Sequence, residues 1–159
     1  MKPTLRFLVS DPAHFIALGF GSGLMPKGPG TAGTLVGWLL FPFVRAPLSD
    51  PLFGGLLLAS FLFGILACER TGRALGVADH GGIVWDEIVA IWLVLWLTPS
   101  SLAWQTTAFV LFRFFDIVKP PPIRWVDERT RGGFGVMLDD LLAAGYTLLV
   151  LALLVRLIA

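Results

Sequence analysis

The longest uncharged stretch of the chain limits its possible folds more than any other feature. Residues 51–68 form a run of 18 residues without a charged side chain. As an α-helix rising about 1.5 Å per residue, such a run nearly crosses the roughly 30 Å hydrocarbon core of a bilayer. With 56% hydrophobic residues, 14% charged residues and a mean hydropathy of +0.81, the chain also has too few polar side chains to cover a soluble globule. The sequence therefore predicts a membrane protein.

Four more apolar stretches follow the same pattern, and short charged loops separate them. They cover residues 32–44, 83–97, 102–118 and 141–155. Residues 14–25 are apolar but rich in glycine, which favours a re-entrant or interfacial segment over a full span. No internal repeat or long linker divides the chain. We expect an all-α polytopic bundle with four to five spans, built as a single domain from residues 1–159.

The charge balance and the cysteine content exclude two classes of protein. A net charge of +1 leaves no excess of basic residues to neutralise phosphates along a nucleic acid, so no nucleic-acid partner is expected. Cys68 is the single cysteine, which rules out intramolecular disulfides and C-x-x-C metal sites.

Basic residues are distributed unevenly between the two predicted membrane faces. If the N-terminus is cytoplasmic and the five stretches alternate in direction, only Arg45 and Arg156 lie on the opposite side. This asymmetry is what the positive-inside rule expects of short loops. The acidic residues collect at the same face as the other bases. The bases predicted to lie in the cytoplasmic loops are Lys2, Arg6, Lys27, Arg70, Arg73, Lys119, Arg124, Arg129 and Arg131.

The acidic residues are candidates for binding a divalent cation. They lie near a helix start, near a helix end and at the expected start of the last helix. Carboxylate oxygens without a His or Cys array favour Mg²⁺ or Mn²⁺ over Zn²⁺. Alternatively, these acids are interfacial caps that complement helix dipoles. The predicted metal ligands are Asp86, Glu87, Asp116, Asp139 and Asp140.

Two further segments carry groups that could bind a phosphate. In "GFGSGLMPKGPGTAGTL", residues 19–35, glycines allow backbone N–H groups to face an anion, although they could equally serve close helix packing. Arg113, Asp116 and Lys119 follow at i, i+3 and i+6, loosely on one helical face. Bases alternating with carboxylates are the combination that metal-assisted phosphoryl chemistry requires.

Three blocks of the sequence together resemble the bacterial phosphatidylglycerophosphatase A family. They are "GFGSGLMPKGPGTAGTL", "DHGGIVWDEIVAIW" and "FRFFDIVKPPPIRWVDERTRGGFGVMLDDLLAAG", in order from about His14 to Gly145. The five apolar stretches and the positive-inside asymmetry predict a multi-pass protein whose active site faces the cytoplasm. The resemblance implies a magnesium-dependent phosphatase of the bacterial inner membrane. It also implies a bilayer substrate, phosphatidylglycerophosphate, which loses its terminal phosphate to give phosphatidylglycerol. The oligomeric state stays open.

The resemblance also assigns site residues to two groups. Some acids would hold Mg²⁺ and one would orient or deprotonate the attacking water. The candidate catalytic residues are Asp79, Asp86, Glu87, Asp116, Asp139 and Asp140. The candidate substrate-binding residues are Lys27, Thr31, Arg113, Lys119, Arg124 and Arg129.

Two other functions compete with a phosphatase. A small membrane cation transporter also carries acids within its helices, but its pathway would place polar groups across the midplane rather than at one face. A non-catalytic protein that binds anionic lipids would need the basic loops but no catalytic residues. Release of phosphate by the purified protein separates the three.

Overall fold

The computed structural model describes residues 1–158, and every regular element in that range is helical. The expected all-α class is confirmed. The elements are α1 Leu5–Leu8, α2 Pro12–Ala17, a 3₁₀ helix Gly19–Leu24, α3 Pro29–Arg45, α4 Asp50–Leu75, α5 Trp85–Trp96, α6 Leu102–Val118, α7 Ile123–Arg129 and α8 Gly132–Ile158.

Helix α5 forms the centre of the bundle. It contacts α3, α4, α6 and α8, and ten of its 12 residues are buried. Its sequence is apolar on all sides after the first turn, and a helix without a polar face is stable only when other helices cover it. The remaining long helices therefore surround α5.

The outer helices carry apolar side chains on their exposed faces. On α4, Leu58 is 61% exposed and Leu66 is 68% exposed, and Leu153 on α8 is 61% exposed. By length and composition, α4 and α8 could each cross a membrane. Exposed apolar faces of this extent indicate contact with lipid rather than water. The four to five spans expected from the sequence stay a prediction, because α3, α5 and α6 are shorter.

The start of α8 corrects one sequence-based expectation. This helix begins at Gly132, well before the predicted stretch at residue 141, so Asp139 and Asp140 lie inside the helix and not at its start. Gly133 explains the extension, because a Cβ atom there would lie 2.8 Å from the backbone nitrogen of Glu69 on α4. Its own N–H donates to Glu69 Oε2 at 2.7 Å. Close packing of α4 and α8 thus continues the helix through polar residues.

Alternating helix directions bring several helix ends together on one side of the bundle. Antiparallel packing of α4 and α5 is fixed at both ends, where Trp85 Nε1 donates to the carbonyl of Ser60 at 3.0 Å and Trp96 Nε1 donates to Asp50 Oδ1 at 3.2 Å. We call the opposite end from Asp50 the site end. It contains the N-termini of α3 and α5, the C-termini of α4 and α6, α7 and the first part of α8.

The glycine-rich segment supports the start of α5 by close packing. A Cβ atom at Gly19, where φ is +55°, would lie 2.5 Å from Val84 Cγ2, and one at Gly23 would lie 3.0 Å from the carbonyl carbon of Gly82. The N–H of Val84 donates to the carbonyl of Ala17 at 2.9 Å. Close packing therefore explains these two glycines, and it fixes the position of the first turn of α5.

Two glycines of α4 test the importance of packing around α5. A Cβ atom at Gly64 would lie 2.7 Å from Trp85 Cδ1 and 2.8 Å from Met137 Sδ, whereas one at Gly55 has no atom within 4 Å. We expect Gly64→Ala to lower the unfolding free energy by about 1–3 kcal/mol through overpacking. Gly55→Ala, the matched control, should be neutral or raise it by up to about 1 kcal/mol through helix propensity. Thermal unfolding in detergent measures both, and equal stability of the two variants would contradict this packing.

Candidate functional site

Three carboxylates meet in the buried part of the site end. Asp86 and Glu87 come from the first turn of α5 and Asp140 comes from α8, and one oxygen from each lies within 4.8 Å of the others. The three residues are only 7%, 8% and 2% exposed. Among the described residues, Asp86 Oδ1, Glu87 Oε2 and Asp140 Oδ2 have no hydrogen-bond partner. We call these residues the acidic trio.

The acidic trio has the composition of a site for a hard divalent cation. Three buried carboxylates this close repel one another, and buried oxygens without partners cost free energy. A cation bound between them offsets both costs. Because all three donors are oxygens, Mg²⁺ and Mn²⁺ fit the set better than Zn²⁺. The residues present therefore fit the expected magnesium ion.

Helix capping does not account for this arrangement. Asp86 and Glu87 do lie in the first turn of α5, but the helix begins after Val84 without a side-chain cap. Asp140 lies inside α8, away from either end of that helix. A favourable interaction with the dipole of α5 thus explains the positions of Asp86 and Glu87, but it does not explain why Asp140 is buried beside them.

Arg113 of α6 connects the acidic trio to Asp116. Its Nη1 atom pairs with Asp116 and lies 3.6 Å from Glu87 Oε1 and 3.3 Å from Thr34 Oγ1. The side chain is 13% exposed, and its Nε atom has no hydrogen-bond partner among residues 1–158. Asp116, a predicted metal ligand, is thus paired with Arg113, and it is not one of the three acids that converge.

Lys119 forms a second polar centre beside the acidic trio. Its Nζ atom lies 2.5 Å from Asp139 Oδ2 and 3.2 Å from Asp127 Oδ1. Burial alone lowers the pKa of Lys119, but the two carboxylates outweigh this effect and raise the pKa above its ordinary value. Asp139 and Asp140 point to different centres because adjacent helical residues are about 100° apart around the axis.

The N-terminus of α3 closes the site beside Glu87. A side chain at Gly30 would clash with Glu87 Oε1 and would lie 3.0 Å from Arg113 Nη2. The preceding Gly28 takes the left-handed conformation with φ +62°, which starts the helix. Gly30, unlike Gly19 and Gly23, therefore brings backbone directly against the charged groups.

The other predicted residues lie at the surface of the site end. Asp79 lines a cavity of about 370 Å³ together with Asp127 and Arg131. Arg124 Nη2 is 3.4 Å from the carbonyl oxygen of Val118, and the guanidinium carbon of Arg129 lies 4.0 Å from the centroid of the Trp125 ring. The side chains that are exposed at this rim are Lys27, Thr31, Asp79, Arg124 and Arg129.

Two contacting residues, Asp127 and Thr34, were absent from the predicted set. Asp127 pairs with Lys119 because α7, which lies between the predicted stretches 102–118 and 141–155, folds against α8. Its signal was its place in the third block, between Lys119 and Asp139. Thr34 is buried inside α3 and donates to the carbonyl of Gly30 at 2.8 Å, and its signal was its place in the glycine-rich segment, residues 19–35.

The fold and the site define an all-helical protein with two helices of membrane-spanning length and a buried, acid-rich site at one end of the bundle. The family profile described as Phosphatidylglycerophosphatase A matches residues 15–155, which include every residue of the acidic trio and both of its neighbouring cations. The chain belongs to the phosphatidylglycerophosphatase A family.

Curated relatives agree with this assignment. A Haemophilus influenzae protein named Phosphatidylglycerophosphatase A is 45% identical over 94% of this chain and 92% of its own length. An Escherichia coli protein of the same name is 41% identical over 87% of this chain and 80% of its own length. A Bacteroides thetaiotaomicron protein, provisionally named a phosphatidylinositol-3-phosphatase, is 39% identical over 86% of this chain and 89% of its own length. No solved structure matches the chain.

Repulsion within the acidic trio can be measured without any assay of activity. In EDTA, Asp86→Asn should raise the melting temperature by about 2 °C or more, because an uncharged amide is cheaper to bury beside Glu87 and Asp140. Asp50→Asn serves as the control, because Asp50 is 71% exposed and pairs with Arg45, so neutralising it brings no gain, and the amide oxygen can still accept from Trp96 Nε1. A lower melting temperature for Asp86→Asn in EDTA would show that this carboxylate makes a favourable contact of its own.

Proposed function

We propose that the chain hydrolyses the terminal phosphomonoester of phosphatidylglycerophosphate, releasing phosphate and phosphatidylglycerol. The observation that carries this proposal is the buried acidic trio beside Arg113 and Lys119 at one end of an apolar bundle. The names of the Haemophilus and Escherichia relatives, which cover most of this chain, support the same reaction.

Asp86, Glu87 and Asp140 are the proposed ligands of Mg²⁺. When bound, the ion would supply Lewis-acid polarisation of the phosphate and reduce its negative charge toward an attacking water. The geometry of the three oxygens and their lack of hydrogen-bond partners support this assignment. Asp116 and Asp139 then act through Arg113 and Lys119, which they hold in place.

Arg113 and Lys119 are the proposed phosphate-binding cations. Arg113 has an Nε–H group without a partner in the described chain, so it can donate to a phosphate oxygen without losing its pairs with Asp116 and Glu87. Lys119 remains charged because its two carboxylates raise its pKa. Charge-assisted hydrogen bonds of this kind are short and strong, and they favour the additional charge of the transition state.

Asp79 is the proposed acceptor of the proton from the attacking water. It lines the cavity next to Asp127 and Arg131, where solvent reaches the site end. A general base must have access to water and must not be fully engaged by a cation. The acidic trio and Asp139 lie deeper and have the other roles proposed above.

The membrane arrangement is the second part of the proposal. The long helices α3, α4, α5, α6 and α8 would provide four to five spans in the bacterial inner membrane, with α1, α2 and the 3₁₀ helix at its surface. The site end carries most of the lysines and arginines, and the positive-inside rule assigns such an end to the cytoplasm.

A related headgroup is the second candidate substrate. The name of the Bacteroides relative refers to a phosphoinositide, whose 3-phosphate is also a monoester on a bilayer lipid. The proposed trio, Arg113 and Lys119 contact only the phosphate, so headgroup selection must come from the exposed rim. Assays should therefore include phosphatidylinositol 3-phosphate beside phosphatidylglycerophosphate.

Phosphate release from phosphatidylglycerophosphate in detergent micelles tests the proposed chemistry. EDTA should abolish the activity and Mg²⁺ should restore it, whereas Zn²⁺ should be a poor substitute for an all-oxygen site. Glu87→Gln and Asp140→Asn should each lower kcat by more than about 100-fold, because a lost ligand costs more than a lost outer contact.

The matched control for these variants is Asp50→Asn at the opposite end of the bundle. It removes a carboxylate from an exposed ion pair and should keep kcat within about twofold of the original protein. Full activity in excess EDTA would overturn the metal assignment, and no phosphate release under any condition would overturn the reaction itself.

Labelling of single cysteines tests the orientation. Glu128 on α7 is exposed at the site end and Ser100 is exposed at the other end, while the native Cys68 is buried. In intact cells a membrane-impermeant maleimide should label Ser100→Cys, and it should label Glu128→Cys only after the inner membrane is permeabilised. The reverse pattern would place the site on the periplasmic face.

A further inference from the structure

An apolar groove runs between α4, α5 and α8 and ends at the acidic trio. Its volume is about 260 Å³, and its walls include Leu57 of α4, Ala90 and Leu93 of α5, and Leu141 of α8. Asp86 is the one lining residue with a charged side chain, and its Oδ1 atom is buried without a hydrogen-bond partner in the described chain. The groove therefore joins a hydrocarbon-like wall to the proposed metal site.

The direction of the groove follows the axis of α5. Asp86, Ala90 and Leu93 lie at i, i+4 and i+7 and thus share one face of the helix. The distance along the axis from Asp86 to Leu93 is about 10 Å at 1.5 Å per residue. The groove leads from the site end toward the middle of the bundle, parallel to the membrane-length helices.

The outer side of the groove opens to the surface that faces lipid. Leu58, which also lines it, is 61% exposed, and Phe61, Leu93 and Leu141 are each partly exposed. A hydrocarbon chain could enter from the side without passing through water. An opening of this kind is of no use to a water-soluble substrate.

We propose that this groove binds one acyl chain of the lipid substrate while its phosphate lies at the acidic trio. The inference rests on the proposed phosphatase function and names how that site recognises a lipid. Continuity through Asp86 fixes the two ends, since the polar headgroup meets the carboxylates and the chain lies along Ala90 and Leu93. Binding energy from a part of the substrate remote from the reaction can hold the phosphate in position for attack.

Chain-length selectivity is the measurable consequence. The measurement is kcat/KM for phosphatidylglycerophosphate with two oleoyl chains and with two hexanoyl chains, both in mixed micelles of one detergent. In mixed micelles the chains already lie in hydrocarbon, so the groove adds packing contacts and not a transfer out of water. Ala90→Leu, which fills the floor of the groove, should remove part of the contact surface for the longer chain and lower the ratio of long-chain to short-chain kcat/KM about threefold or more.

A matched pair of variants on α4 guards against misfolding of Ala90→Leu. Leu58→Trp changes the rim of the groove, whereas Leu62→Trp lies one turn further along, is 54% exposed and does not line it. Leu58→Trp should lower the same ratio, and Leu62→Trp should leave it unchanged. An equal ratio in the original protein and in both groove variants would overturn the proposal.

A binding measurement keeps the groove separate from the reaction. Oleoyl-chain phosphatidate carrying a diazirine in the half of one chain nearest the glycerol, about 10 Å from the phosphate, should label Leu93 or Leu141 on irradiation, as mapped by mass spectrometry. Unlabelled long-chain phosphatidate should compete, and phosphatidylcholine should not. Labelling of the groove without phosphatase activity would reject the proposed function alone, whereas uniform labelling of all lipid-facing helices without competition would reject the groove.

Discussion

Burying three carboxylates within 4.8 Å of one another is the constraint on which the rest of this structure depends. In a medium of low polarity each charge needs a partner, and the trio has oxygens without one among the described residues. Nearby structure limits the cost: Arg113 stands beside Glu87, the start of α3 packs against both, and Lys119 keeps Asp139 away from the trio. A divalent cation is the group that we propose to complete this balance of charge.

Much of the helical arrangement could be predicted from the sequence, because apolar runs of membrane length have few alternatives. Residues 102–118 coincide with α6, and the runs near residues 32, 51 and 83 match α3, α4 and α5 to within a few residues except at the C-terminus of α4, which continues to Leu75. The predicted start of the last helix, at residue 141, was wrong, because α8 begins at Gly132. Hydropathy ends a predicted span where polar residues begin, whereas the actual helix continues because Gly133 packs against α4.

Sequence patterns indicated which acids belong to the site end, but not how they pair. The carboxylates of Asp86, Glu87 and Asp140 converge. Asp116 and Asp139 instead form ion pairs with the basic side chains of Arg113 and Lys119. Spacing along one helix cannot distinguish these outcomes, since each pairing depends on the rotation of α8 against α5 and α6. The glycines of residues 19–35 have two different roles. Gly19 and Gly23 allow close packing against the start of α5, whereas Gly30 lies against the side chains of Glu87 and Arg113.

The central position of α5 connects these features to lipid chemistry. A helix that is apolar on all sides is covered by its neighbours, and only its ends can carry ionised groups without crossing the hydrocarbon region. In the proposed membrane arrangement, its N-terminal turn would place Asp86 and Glu87 where the bundle meets the headgroups, while its next two turns, with Ala90 and Leu93, would lie in the hydrocarbon layer. A phosphorylated lipid has the same division between a charged end and an apolar chain. One helix can thus present a carboxylate to the phosphate and a groove wall to the chain, in register, without any other domain.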